Sequence, residues 1–268
     1  MKKYFSNPCF LAGITILSIL IIFLITGSIL NNCRYDEIDT FNKFADISKE
    51  HIFGTDHLGR DVFSRILVSL KISFSIGFIV MILGLVTGII LGGISGFFGG
   101  MCDSIITKLI DTQMSFPGIL ISLMLIAVFG NTVEITVIAL YIMTIPRFTR
   151  IARSGFIKYK NSMFVTAAKS KGAGYARILF IHILPNIMPD LTVTATLNFS
   201  LSILAESGLS YLGLGIQPPL VSFGRMLNEG QRFILQRPSN VLLPAVFLIL
   251  LVLSLNLTGD GISEVNKK

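Results

Sequence analysis

The chain has 268 residues, of which 52% are hydrophobic and only 14% charged, and its mean hydropathy is +0.76. A water-soluble domain of this length needs far more charge to cover its surface, so the composition argues against one and points to a bilayer. The net charge of +7 follows a membrane pattern, and no nucleic-acid partner is expected.

A helix rises about 1.5 Å per residue, so about 20 apolar residues cross a hydrocarbon layer of about 30 Å. Residues 9–30, after Met1, Lys2 and Lys3, form the first such run. It ends in Asn31, Asn32, Cys33 and Arg34 instead of a small-residue cleavage site, so it reads as a retained span and not a signal peptide. The segment 31–71 holds six basic and seven acidic residues and reads as an outer loop. His51 and His57 lie there near Asp56 and Asp61; on spacing this loose they read as part of a solvated polar loop, with a transient metal-binding patch as the alternative.

Residues 72–98 form the second span. Gly84, Gly88, Gly92 and Gly96 recur every fourth residue and give this helix one face of small residues. Packing within the chain is the preferred reading, and a helix beside a pathway or partner subunit is the alternative. Residues 102–115, studded with polar groups, and the apolar residues 116–129 read as one oblique span broken at Pro117. A short fourth span covers residues 133–145. Residues 191–209 and 241–257 complete six.

The expectation is therefore an all-α polytopic membrane protein. Residues 1–71 supply the N-terminal helix and outer loop. Residues 72–268 form a transmembrane body carrying a cytoplasmic loop at 147–185. Charge parity supports this layout. Residues 147–182 carry eight Lys and Arg and no Asp or Glu, which places them inside together with Lys2 and Lys3. Only an even number of crossings fits between two inside segments. Two further spans return Lys267 and Lys268 to the cytoplasm.

No GxxxxGK[ST], HExxH or GxSxG sequence occurs, and no catalytic, cofactor-binding or metal-binding residue is expected. Glu134, Asp190 and Glu206 fall near predicted span ends, whereas a proton-coupled carrier places such groups deeper. Cys9, Cys33 and Cys102 are scattered and read as packing residues.

The informative segment lies in the basic loop. Residues 164–171 read as a short helix with small residues at its centre. Gly172 and Gly174 permit a reversal, since glycine tolerates positive φ. A helical apolar pattern resumes at Ala176 and runs until Pro185 breaks it. Such a compact protrusion suits a groove on another protein.

The string Thr166-Ala-Ala-x3-Gly172 with Leu184-Pro185 resembles the EAA loop of ATP-binding-cassette import permeases. Three further strings are similar to the dipeptide/oligopeptide/nickel branch of that family: Phe53-Gly-Thr-Asp-His-Leu-Gly-Arg60-Asp-Val-Phe-Ser-Arg65, Leu209-Ser-Tyr-Leu-Gly-Leu-Gly-Ile-Gln-Pro-Pro219, and Asn256-Leu-Thr-Gly-Asp-Gly261. Two positions depart from the loop pattern. Thr166 replaces the glutamate that names it, and His182 replaces the usual isoleucine.

The resemblance implies a transport subunit in which Thr166, Ala167, Ala168, Lys169, Gly172 and Pro185 couple to an ATPase. It implies a second permease subunit, two cytoplasmic ATP-binding subunits that hydrolyse the ATP, and an extracytoplasmic substrate-binding protein. The location implied is the cytoplasmic (inner) membrane of a bacterium or archaeon, with both termini inside. The cargo implied is a peptide or chelated nickel. A stand-alone secondary transporter or channel is the alternative and would show inverted repeats or broken spans. A structural membrane anchor is a third reading.

Overall fold

The computed structural model describes residues 7–30 and 35–267. Cys33, Lys2, Lys3 and Lys268, which entered the charge and cysteine readings, lie outside the described residues. The regular elements described are all helical. Helix α1 spans Pro8–Leu30 and α2 spans Val62–Gly93, prolonged by a wider π turn at Ile94–Phe98. Then come α3 (Gly100–Met114), α4 (Gly118–Phe129), α5 (Val133–Tyr159) and α6 (Met163–Ser170). A single turn, α7 (Tyr175–Arg177), passes through a π segment at Ile178–Ile183 into α8 (Leu184–Tyr211). Helices α9 (Phe223–Gln231) and α10 (Ser239–Lys267) close the chain.

Five helices are long and apolar enough to cross a membrane, and six if α3 and α4 are taken as one broken span. The break falls where Pro117 predicts it, but it is no gentle kink: the two helices diverge by 84°. Helix α4, with 12 residues, covers only about 18 Å along its axis.

Four spans are longer than the hydropathy predicts, α10 among them, and for three an electrostatic or backbone reason is visible. Helix α2 starts at Val62, ten residues before the expected start at 72, because Asp61 caps it by accepting from the Ser64 N–H at 2.7 Å. Arg65 falls within the segment read as outer loop, yet it is buried and paired with Glu229. Helix α5 continues past residue 145 to Tyr159, so Arg147, Arg150 and Arg153 ride on a helix and not in a loop. Asp103 and Asp111 of α3 pair with two of them. Helix α8 starts at Leu184 and not 191, and this corrects the reading of Pro185 as a breaker. The proline follows directly on the π turn, where the Leu184 N–H reaches back to the Leu179 carbonyl, and the helix runs on through it.

The glycine face of α2 packs within the chain, as preferred from sequence. A Cβ at Gly88 would lie 2.2 Å from the Phe148 Cβ of α5, and one at Gly92 would lie 2.6 Å from the Ala152 Cβ. Phe148 and Ala152 are fully buried there. Helix α10 crosses α1 as closely, with Gly261 against the Phe10 backbone. Asn256 of the same string accepts from the Ser200 hydroxyl of α8 at 2.6 Å.

Candidate functional site

The protrusion is built on a core of its own. Val165 and Ala168 of α6 turn inward onto Ala152, Phe156, Ile178, Ile183, Ile187 and Leu191. Helix α6 ends in a Schellman turn: the Ala173 N–H reaches the Ala168 carbonyl at 3.0 Å and the Gly172 N–H reaches that of Lys169 at 2.9 Å. The motif needs a left-handed residue, and Gly172 supplies it with φ of +80°. Gly174 has φ of −69° and contributes no left-handed turn.

Beside this turn lies an open groove of about 570 Å³ lined by Phe164, Ala167, Lys171, Gly172, Arg177 and His182, with Ala168 at its floor. The groove gathers Ala167, Ala168 and Gly172 from the predicted set. Thr166, Lys169 and Pro185 are exposed but do not line it. Ala168 is 8% exposed and packs into the internal core, with its exposed edge at the groove. Lys169 places its Nζ 5.5 Å from the centre of the Phe97 ring, which ties α6 to the π turn that ends α2.

At the opposite end the string from Phe53 to Arg65 forms a clamp. Gly54 and Gly59 take positive φ and fold the loop into a tight turn. Asp56 Oδ1 accepts from the Leu58 and Arg60 N–H groups, and its Oδ2 accepts from Arg60 Nε at 2.7 Å. Arg60 and Arg65 both donate to Glu229 Oε2, at 2.6 and 2.8 Å, and Arg225 donates to its Oε1 at 2.8 Å. Burial pushes the Glu229 carboxyl up, but Arg65 and Arg60 outweigh it and hold the group below the ordinary carboxylate range.

His51 contacts Asp61 at 3.0 Å, and His57 stacks on Phe233 at 4.9 Å. The two histidines serve different contacts, and no cluster of three metal-ligating side chains occurs among the described residues.

Glu206 was missed as a structural centre. It is fully buried and accepts from Ser73 of α2 at 2.8 Å and from Ser210 at 2.7 Å. Ser210 also accepts from the Ile216 N–H at 2.9 Å, which seats the loop rich in Leu, Gly and Pro. The available signal was Ser210 four residues on, one helical turn from the glutamate.

These features define a polytopic helical scaffold, with the protrusion at one end of the helical body and the clamp at the other. The family profile described as "binding-protein-dependent transport system inner membrane component" matches residues 84–267, and the chain belongs to that family. It is 36% identical over 263 residues to the dipeptide transport system permease protein DppC of Alkalihalophilus pseudofirmus, covering 98% of this chain and 86% of that one. It is 37% identical over 231 residues to the glutathione transport system permease protein GsiD of Escherichia coli, covering 86% of this chain and 76% of that one. Among solved structures, the MetNI methionine ABC transporter in an inward-facing conformation matches with a TM-score of 0.58 at 18% identity. That match covers 76% of this chain and 95% of the other, and it is a likeness of fold.

Proposed function

We propose that this chain is one of two membrane subunits of an ATP-driven importer of peptides, with glutathione-like peptides included. The similarity to a dipeptide and a glutathione permease supports this class of cargo. Chelated nickel remains the second cargo from the family resemblance. Two cytoplasmic ATP-binding subunits would dock on the protrusion, and a substrate-binding protein would deliver cargo to the outer face. A second permease subunit would complete the pathway. This chain supplies the path and the lever, and the partners hydrolyse the ATP. The N-terminus and the protrusion face the cytoplasm in this reading.

The observation that carries the lever is the groove beside the Schellman turn, rimmed by Lys171, Arg177 and His182 and standing on its own core. Force on a protrusion with such a core moves α5 and α8 as a body. Ala167 lines the groove and is exposed, so Ala167→Glu tests docking without disturbing that core. In the reconstituted complex, the substitution is expected to leave insertion and abundance normal. It should abolish both substrate-stimulated ATP turnover and uptake. Normal turnover and uptake in that variant would remove the groove from the coupling path. The stand-alone carrier reading requires uptake by this chain without any ATPase subunit.

A further inference from the structure

Beside the 84° break between α3 and α4, helix α5 runs on unbroken but lacks one of its own hydrogen bonds. Pro146 lies inside α5 and has no N–H, so the carbonyl of Ile142, four residues back, loses its helical partner. Gln113 of α3 replaces it, donating from Nε2 to the Ile142 oxygen at 2.5 Å. That donation fixes which end of the amide is nitrogen and leaves Gln113 Oε1 as an acceptor.

The break and the Pro146 turn of α5 enclose a groove of about 360 Å³ lined by Gln113, Phe116, Pro117, Met143, Pro146 and Arg147. The size falls within the usual range of small-molecule sites, as does an apolar lining with a few polar groups. Arg147 opens the basic stretch that runs to residue 182, and its exposed guanidinium is open to a ligand entering the groove.

The arginines that follow on α5 are neutralised. Arg150 pairs with Asp111 at 2.6 Å and Arg153 with Asp103 at 2.6 Å. Among the described residues no carboxylate pairs with Arg147. The groove thus offers a free cationic fork, a neutral acceptor and an apolar wall at one place.

We propose that this groove is a peptide-binding station on the pathway, in which Arg147 takes the C-terminal carboxylate of the passing peptide. Arg147 holds the carboxylate through two parallel N–H donors. Gln113 Oε1 accepts from a peptide N–H, and the side chains of Phe116 and Met143 cover the apolar part of the ligand. The inference rests on the peptide reading of cargo, and uptake of trialanine by the wild-type complex tests that reading separately.

The site itself is tested by protection. Met143→Cys is introduced into a background with Cys9, Cys33 and Cys102 changed to Ser, and the assembled complex is placed in nanodiscs without its binding protein. Maleimide labelling of the new cysteine is followed by mass spectrometry. Trialanine is expected to slow labelling roughly tenfold, as a charge-assisted contact of this kind implies. Trialanine amide is expected to slow it little. Arg147→Gln should abolish protection by the acid and leave labelling without peptide unchanged, while Arg147→Lys should restore part of it. Equal protection by acid and amide would overturn the carboxylate assignment. Absence of protection in a complex that still imports trialanine would remove the site while leaving the cargo class intact.

Discussion

Arg65 is 3% exposed, so its charge is tolerable only because Glu229 and Asp56 surround it. Glu229→Gln keeps the shape and removes the charge. It is expected to destabilise the detergent-solubilised protein by about 3 kcal/mol, the usual cost of breaking a buried pair. Arg225→Ala, at the wetter edge of the same network, should cost under about 1 kcal/mol. Thermal unfolding of the two variants side by side checks the ranking.

The same cluster sets a response to acid. Burial, opposed by Asp56, holds the His57 imidazole below its ordinary value of 6.5. A group with a depressed folded value contributes stability above its unfolded pKa and loses it as pH falls. Stability should therefore begin to fall as pH drops below about 6.5, through the protonation of His57. The Glu229 contribution should go later, below the ordinary carboxylate range. His57→Phe preserves stacking on Phe233 and should flatten the first part of that decline in melting scans from pH 7 to 5.

At the scale of elements, two glycines carry opposite costs. Gly172 has φ of +80°, and a Cβ added there would meet no heavy atom within 4 Å, so space is available and backbone strain is the whole penalty. Gly172→Ala should cost about 1 kcal/mol and act on α6 alone. Gly88 has an ordinary helical backbone, but its Cβ would strike the Phe148 Cβ and backbone. Gly88→Val should separate α2 from α5 and cost about 1–3 kcal/mol or prevent assembly, since a well-packed interface cannot absorb the methyl groups. Loss of the folded peak in size-exclusion chromatography for Gly88→Val, and its retention for Gly172→Ala, is the expected outcome. Ala168→Glu belongs with Gly88→Val: it introduces a carboxylate into the protrusion's core, and its loss of transport would reflect misfolding there. Helix ends follow the same division. The apolar runs 72–98 and 191–209 were visible, but the extension to Val62 also depends on the Glu229 partner of Arg65 and that to Tyr159 on the α3 acids, while the start at Leu184 is a local backbone matter.

For the whole molecule, orientation is the property to measure. Single cysteines at Lys43 and Gln231 should react with an impermeant thiol reagent applied outside. One at Ser170 should react only after the membrane is opened. Labelling of Ser170 from outside would invert the topology and sink the coupling reading. The sequence by itself determined the class of molecule, because long apolar runs and a one-sided basic loop are local signals that a bilayer reads directly. It also marked Gly172, whose left-handed turn is a property of a few neighbouring residues. The tertiary structure alone decided what the charges do. Glu206 meets Ser73 from 133 positions away, and Arg60 meets Glu229 from 169. Arg150 and Arg153 find acids on α3, while Arg147 does not. Such pairings depend on how helices distant in sequence are brought together, and the composition or spacing of one segment does not encode its partner.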